Sequence, residues 1–183
     1  MRSFFPPLAA TLLLLAGTLL LCLGTASAQI SVIGGHYYAR GCFLEALGDG
    51  TNTDTCDRSL AGEMLRRRDR AATYVNRAVV RTNARHLTSA LKDLKRAESL
   101  RPDLGEIYVS RGNVLFYQDH FEEAIAEHRR GIAVGMKKLH AAHYNLGLTL
   151  ENLGRIEEAK EAYRQSIALS PEFELAKTRL RLL

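Results

Sequence analysis

The chain has no tryptophan, four prolines and three cysteines in 183 residues. Two of the prolines, Pro6 and Pro7, fall at the very start, which leaves Pro102 and Pro171 as the stops of everything that follows. Chemistry is as scarce as proline. The sequence holds no Gly-rich phosphate loop, no GxSxG and no HExxH, and its cysteines do not have CxxC spacing. Those arrangements are the common carriers of nucleotide cradling, serine or zinc hydrolysis and dithiol exchange, and nothing else in the residues asks for an enzyme. The chain therefore reads as a binder and not as an enzyme, with no catalytic residue, no cofactor and no metal expected.

The six histidines do not reverse that reading. His140 and His143 stand three apart, a spacing that holds a metal on a helix, but no third ligand is in register. His128 falls in a core phase and is expected to be a satisfied core or boundary side chain. Asp49, Asn52, Asp54 and Asp57 do not follow the alternate-position pattern of a calcium loop with its distant Glu. A turn with a helix cap at Asp54 or Thr55 accounts for them better. The net charge is a modest +5, and the excess gathers in Arg66, Arg67, Arg68, Arg70, Arg77, Arg81 and Arg85. A basic run attracts nucleic acid or anionic membrane. Nucleic acid is not expected here because no aromatics are interleaved, and most of these arginines read as a solvated face.

The first residues form a processing segment. Arg2 gives a positive start, Leu8 to Leu23 is almost wholly apolar, and Ala26-Ser27-Ala28 fits a small-x-small cleavage site. Residues 1–28 thus read as a signal peptide cut between Ala28 and Gln29, with 29–35 a flexible tail and the product exported, periplasmic or secreted. The alternative is an uncleaved anchor, the one case in which a membrane would be a partner. Cleavage removes Cys22 and leaves Cys42 and Cys56. An even count in an exported chain points to a disulfide across the turn-rich GDGTNTDT loop. Such a bond stabilises by about 3 kcal/mol in the chain-entropy description.

Beyond that loop the chain repeats itself. Tyr74, Ala78, Leu87, Ala90, Leu100 and Pro102 are answered 34 positions later by Tyr108, Gly112, Phe121, Ala124, Val134 and Met136. His143, Gly147, Ile156, Ala159, Leu169 and Pro171 follow after a further 35. A period of this length with a small residue in each half marks a helix–turn–helix unit that must stack on neighbours to bury its apolar face. In the last unit Gly154 ends the first helix and Pro171 stops the second. Ile156, Ala159, Tyr163, Ile167 and Leu169 then make one stripe, with Glu157, Glu158, Lys160, Glu161 and Arg164 facing away.

These positions resemble the tetratricopeptide repeat family, whose pattern has an aromatic at four, Leu-Gly at seven and eight, Ala at 20, an aromatic at 24 and Pro at 32. The third unit carries Leu146, Gly147, Ala159, Tyr163 and Pro171. The second carries Tyr108, Gly112 and Ala124, and the first Tyr74, Ala78, Ala90, Ala97 and Pro102. Arg77 and Arg111 replace the Leu, Leu94 and His128 the second aromatic, and Met136 the proline. The two arginines are expected to pack their stems in the helix pair while their heads find a carboxylate or carbonyl. The resemblance implies an all-α, right-handed superhelical stack of antiparallel helix pairs. Its units would be 71–104, 105–139 and 140–173, preceded by a disulfide-stapled pair in 36–70 and sealed by a terminal helix in 174–183. In the first of these pairs, 37–47 and 56–67 read as helices. Phe173, Ala176 and Leu180 fall on one side of the last helix, and Leu182 and Leu183 end the chain apolar.

The resemblance also implies that the first helix of each unit lines a concave groove. By position that groove holds Val75, Val79, Asn83, Asn113, Phe116, Tyr117, Tyr144, Leu148 and Asn152. Amides suit the backbone of an extended peptide, and the aromatics supply contact area. The expected role is an exported scaffold for a protein or peptide partner. A self-associating, homo-oligomeric component of an envelope assembly and an accessory subunit of an enzyme complex are the other readings.

Overall fold

The computed structural model describes residues 37–183, so the expectations for 1–28 and 29–35, including the Ala28–Gln29 cut, lie outside the described residues. Those that are described form nine helices and no strand. They are α1 (Tyr37–Leu47), α2 (Asp54–Gly62), α3 (Arg67–Asn83), α4 (Leu87–Leu100), α5 (Gly105–Phe116), α6 (Phe121–Val134), α7 (Leu139–Asn152), α8 (Ile156–Leu169) and α9 (Glu174–Leu182). None of them is long and apolar enough to cross a membrane.

One turn recurs down the stack and builds the pairs. The first helix of each pair ends with a residue in the left-handed region: Asp49 (φ 59°), Arg85 (φ 62°), Asp119 (φ 61°) and Gly154 (φ 73°). Around Arg85, Asp119 and Gly154 two backbone bonds close the helix end, and at Asp49 the wider-spanning of the two is made by Gly50 N–H to Glu45 O (2.8 Å). At the last unit Arg155 N–H donates to Leu150 O (2.9 Å) and Gly154 N–H to Glu151 O (2.9 Å). The same two bonds occur at His86–Arg81 and Arg85–Thr82, and at His120–Leu115 and Asp119–Phe116. This is the six-to-one, five-to-two helix closure, which favours glycine because an L side chain crowds its own backbone there. Only Gly154 was legible as such a stop. Arg85 and Asp119 hold the same geometry without being glycine.

Within a pair the helices approach at the small residues. A Cβ on Gly147 would lie 2.5 Å from the Tyr163 ring, and one on Gly112 2.5 Å from the His128 ring. Ala90, Ala124 and Ala159 are fully buried on the opposing helices. The apolar interior runs along the stack. Val75, Ala78, Leu94, Ile107 and Val114 fill the first junction, while Val109, Tyr144, Leu148, Tyr163 and Ala176 fill the last. Phe173 and Leu180 of α9 pack on that last cluster, which seals it. Leu169 departs from its expected stripe and is exposed. α3 begins at Arg67, about one turn before position 71.

The N-terminal pair is held by covalent and ionic links. Cys42 and Cys56 are bonded, with Cα atoms 4.6 Å apart, and they pack with Ala46, Val79 and Val80. The expected helix over 56–67 needs correcting: α2 spans Asp54–Gly62 and the chain is extended at Glu63 (ψ 138°). The cause is the Glu63 carboxylate, which accepts N–H bonds from Tyr38 (2.9 Å) and Ala39 (3.1 Å) and a hydroxyl bond from Ser59. Those α1 amides have no partner within their own helix, and Glu63 satisfies them by leaving α2. The cap of α2 also shifts from Asp54 or Thr55 to Thr53, whose hydroxyl donates to Asp57 (2.7 Å).

Candidate functional site

The expected groove residues lie on α3, α5 and α7, the first helix of each repeating pair, except Tyr117, which caps the end of α5. Their exposure differs from what an open groove would show. Val75, Val79, Asn113, Phe116, Tyr144 and Leu148 are buried, Asn83 and Tyr117 are half-buried, and Asn152 alone is exposed. The contacts explain several of these. Val79 packs on the cystine and Ala46, which puts the N-terminal pair over it. Tyr144 meets Phe173 edge-on at 5.3 Å and Tyr163 at 5.8 Å, which places α9 and α8 against it. Asn113 accepts a bond from Asn145 (3.0 Å), and Phe116 packs edge-on to Tyr117 and Phe121. The more accessible members are tied too. Asn83 donates to Gly50 O (3.1 Å), Asn152 to Leu148 O (2.8 Å), and the Arg85 guanidinium sits 4.0 Å over the Tyr117 ring.

Arg77 and Arg111 bond to carboxylates, as their place in the helix pair implied. Arg77 grips Asp93 with two bonds, Nε–Oδ2 at 2.8 Å and Nη2–Oδ1 at 2.7 Å, and reaches Asp57 of α2 at 2.6 Å. Arg81 adds a 2.6 Å bond to Asp93, whose side chain is fully buried. Burial alone would raise the Asp57 carboxyl, but the bonds from Thr53 and Arg77 hold it below the usual carboxylate range. Arg111 does likewise with Glu98 and Glu127. The acids share a phase: Asp93 and Glu127 each stand 16 residues after their arginine. That 16-residue pairing is present in the sequence as a recurring Arg–acid spacing, although no expectation above rests on it.

The third unit has Leu146 and Ala162 at the corresponding places, with no ion pair between them. A cleft of about 250 Å³ opens there, floored by Leu146, Leu150 and Ala162 and rimmed by Arg129, His143, Glu158, Glu161 and Gln165. Arg129 and Glu158 span its edge at 3.3 Å. His143 is half-buried and its burial lowers its pKa; burial lowers that of His140 too, with the nearby Lys138 charge adding to it. No group of three metal-ligating side chains occurs among the described residues.

His128 is not the satisfied histidine expected. It is fully buried, and neither ring nitrogen has a hydrogen-bond partner. Burial pushes its pKa down to about 3. It stands where the third unit has Tyr163, whose hydroxyl finds Glu151 at 2.6 Å. The smaller imidazole is held against Gly112 and lines a small cavity with Asn113, Phe116, Asn145, Leu148 and Thr149.

Residues 140–173 match the sequence pattern of the tetratricopeptide repeat. No curated protein matches the chain. Among solved structures, a crystal structure of MamA is similar at 22% identity and a TM-score of 0.60, over 81% of this chain and 83% of that one. A second MamA crystal structure gives 27% identity and 0.54, with 61% of each chain covered. The TPR domain of Arabidopsis OM64 gives 19% and 0.56, over 63% of this chain and 98% of that domain. With its helix pairs stacked in phase and its last unit matching the repeat pattern, the chain has the fold of a tetratricopeptide-repeat helical solenoid.

Proposed function

We propose that this protein is an exported scaffold that holds a protein or peptide partner along the α3–α5–α7 side of the stack. The observation that carries the reading is the composition of that side. Its members that reach solvent, Asn83, Tyr117 and Asn152, recur in one phase at the C-terminal ends of α3, α5 and α7, and such amide and aromatic groups bind an extended peptide by backbone bonds and aromatic contact. Export rests on the signal-like segment at 1–28 and on the cystine, since structural disulfides persist in oxidising compartments.

The burial pattern decides which residues to test. Phe116 and Tyr144 hold the interior together, so truncating them would disturb the fold before any partner is involved. Asn83, Tyr117 and Asn152 are the accessible members of the row; Asn83 is tied across to Gly50 O, so Tyr117 and Asn152 make the cleaner probes. In affinity capture from an exported fraction, Tyr117→Ala and Asn152→Ala should each lower partner recovery with helicity retained, while melting falls only by the small amount that the Arg85 stack and the Leu148 bond contribute. Lys160→Ala and Glu161→Ala on the outer side of α8 should not. Recovery that depends on the α8 changes and ignores the other pair would move the contact surface elsewhere.

A further inference from the structure

The end of the stack where α1 begins carries a basic patch with apolar tips. Because Glu63 turns back to the Tyr38 and Ala39 amides, the link from α2 to α3 begins at the start of α1, and Arg67 at its far end donates to Ser99 O near the end of α4 (3.4 Å). The Arg58 guanidinium is at the start of α1 too, 5.9 Å from the Tyr38 ring centre. Two large side chains protrude at this end: Met64 is 94% exposed and Tyr37 83%. Around them Arg58, Arg66, Arg67 and Arg68 are all exposed. None of the four arginines enters an ion pair among the described residues. The carboxylate within the link, Glu63, is committed to α1 and Ser59. Asp103, which feels the Arg67 charge, is held in a two-bond pair by Arg101.

We propose that this end docks on an anionic lipid surface. Guanidinium groups meet headgroup phosphates with paired N–H donors, and unbalanced arginines gain most from the negative potential above such a leaflet. Tyr37 and Met64 fit the same partner, since protruding apolar bodies enter the interfacial region of a bilayer while charged heads stay wet. A nucleic-acid phosphate backbone has no use for a Met held 94% in solvent. The location agrees. From Tyr37 the chain leads back across 13 residues to the apolar stretch ending at Leu23, a connection that reaches at most about 45 Å. Any bilayer holding that stretch would lie within range of the patch, and the patch alone provides a reversible contact once the stretch is removed. This surface is separate from the α3–α5–α7 side, so its test does not depend on the scaffold reading.

The test is sedimentation of the full chain with vesicles of phosphatidylcholine alone or mixed with phosphatidylglycerol, at low and high salt. The apolar stretch enters both vesicle types alike and Arg2 beside it adds the same anionic preference to every variant, so the readout is the anionic preference in excess of that of the fourfold-substituted chain. We expect at least a tenfold preference at low salt that collapses at high salt. Replacing all four residues (R58Q, R66Q, R67Q, R68Q) should remove it, at roughly fivefold per arginine, with circular dichroism unchanged. Met64→Ser, which leaves the charge intact and touches no bond, should weaken anionic binding at fixed salt. Equal binding to both vesicles, or a preference that survives the fourfold change, would overturn the proposal. Tighter retention of duplex nucleic acid than of anionic vesicles through the same arginines would overturn it as well.

Discussion

Arg85 and Asp119 show how a single residue can hold a geometry that suits it poorly. Both sit in the left-handed region where the third unit has Gly154, and an L side chain there costs roughly 1–2 kcal/mol. Glycine removes that cost but loses more freedom on folding, so the net gain is smaller. Asp119→Gly should raise stability by about 0.5–1 kcal/mol in a denaturant titration. Arg85→Gly should gain less, because it also deletes the guanidinium stacked 4.0 Å over Tyr117. Equal gains at both sites would show that the stack contributes nothing. His128 gives a second residue-scale expectation. Its folded pKa, about 3, lies below the ordinary value of 6.5. The unfolded chain therefore takes up a proton that the folded one refuses, and stability falls as pH drops from 6.5 towards 3. The slope reaches at most about 1.4 kcal/mol per pH unit. Between pH 6.5 and 5 His140 and His143, whose pKa values burial also lowers, add to the loss in the same direction. His128→Phe should flatten this part of a stability–pH curve, and an unchanged curve would locate the acid sensitivity elsewhere.

At the scale of the helix, the small residues set how closely a pair can pack. Ala124 and Ala159 are fully buried on α6 and α8. Enlarging either to Leu should cost roughly 1–3 kcal/mol through overpacking, read as a lower denaturation midpoint at constant slope. An unchanged midpoint in both variants would show that the helices do not meet there. Much of this level was legible: the 34-residue period, the helix pairs and the small residues are all visible as sequence spacing. The end of α2 was not, because 56–67 has good helical periodicity and nothing local says that Glu63 is taken by amides 24 and 25 residues away. The expected groove was legible as a set of helix positions but not as an accessibility. Position on α3 or α7 does not say that the cystine lies over Val79 or that Phe173 meets Tyr144.

Taken whole, the molecule is a short row of units, each touching its neighbours, with terminal elements that differ in kind. The first pair is closed by Cys42–Cys56 and joined to α3 and α4 through Asp57, Arg77 and Asp93. Thiol blocking of unreduced protein should leave both cysteines unmodified in the mass spectrum, and two blocked thiols would contradict the bond. Reduction should lower stability by about 3 kcal/mol, the loop-entropy figure for a crosslink across so few residues.

That difference between the ends gives the stack a direction. In a nearly one-dimensional protein, opening one unit exposes only its neighbour, so loss of structure spreads inward from whichever end lets go first. At the Cys42 end, opening must part a covalently looped pair and a buried arginine held by two carboxylates. At the other end it need only lift α9, whose one fully buried side chain is Ala176. Fraying should therefore travel from Leu183 towards Tyr37. Amide exchange would show it as protection rising stepwise from α9 through α7 to α3, and a molecule pulled from both termini would pay out its chain from the same side.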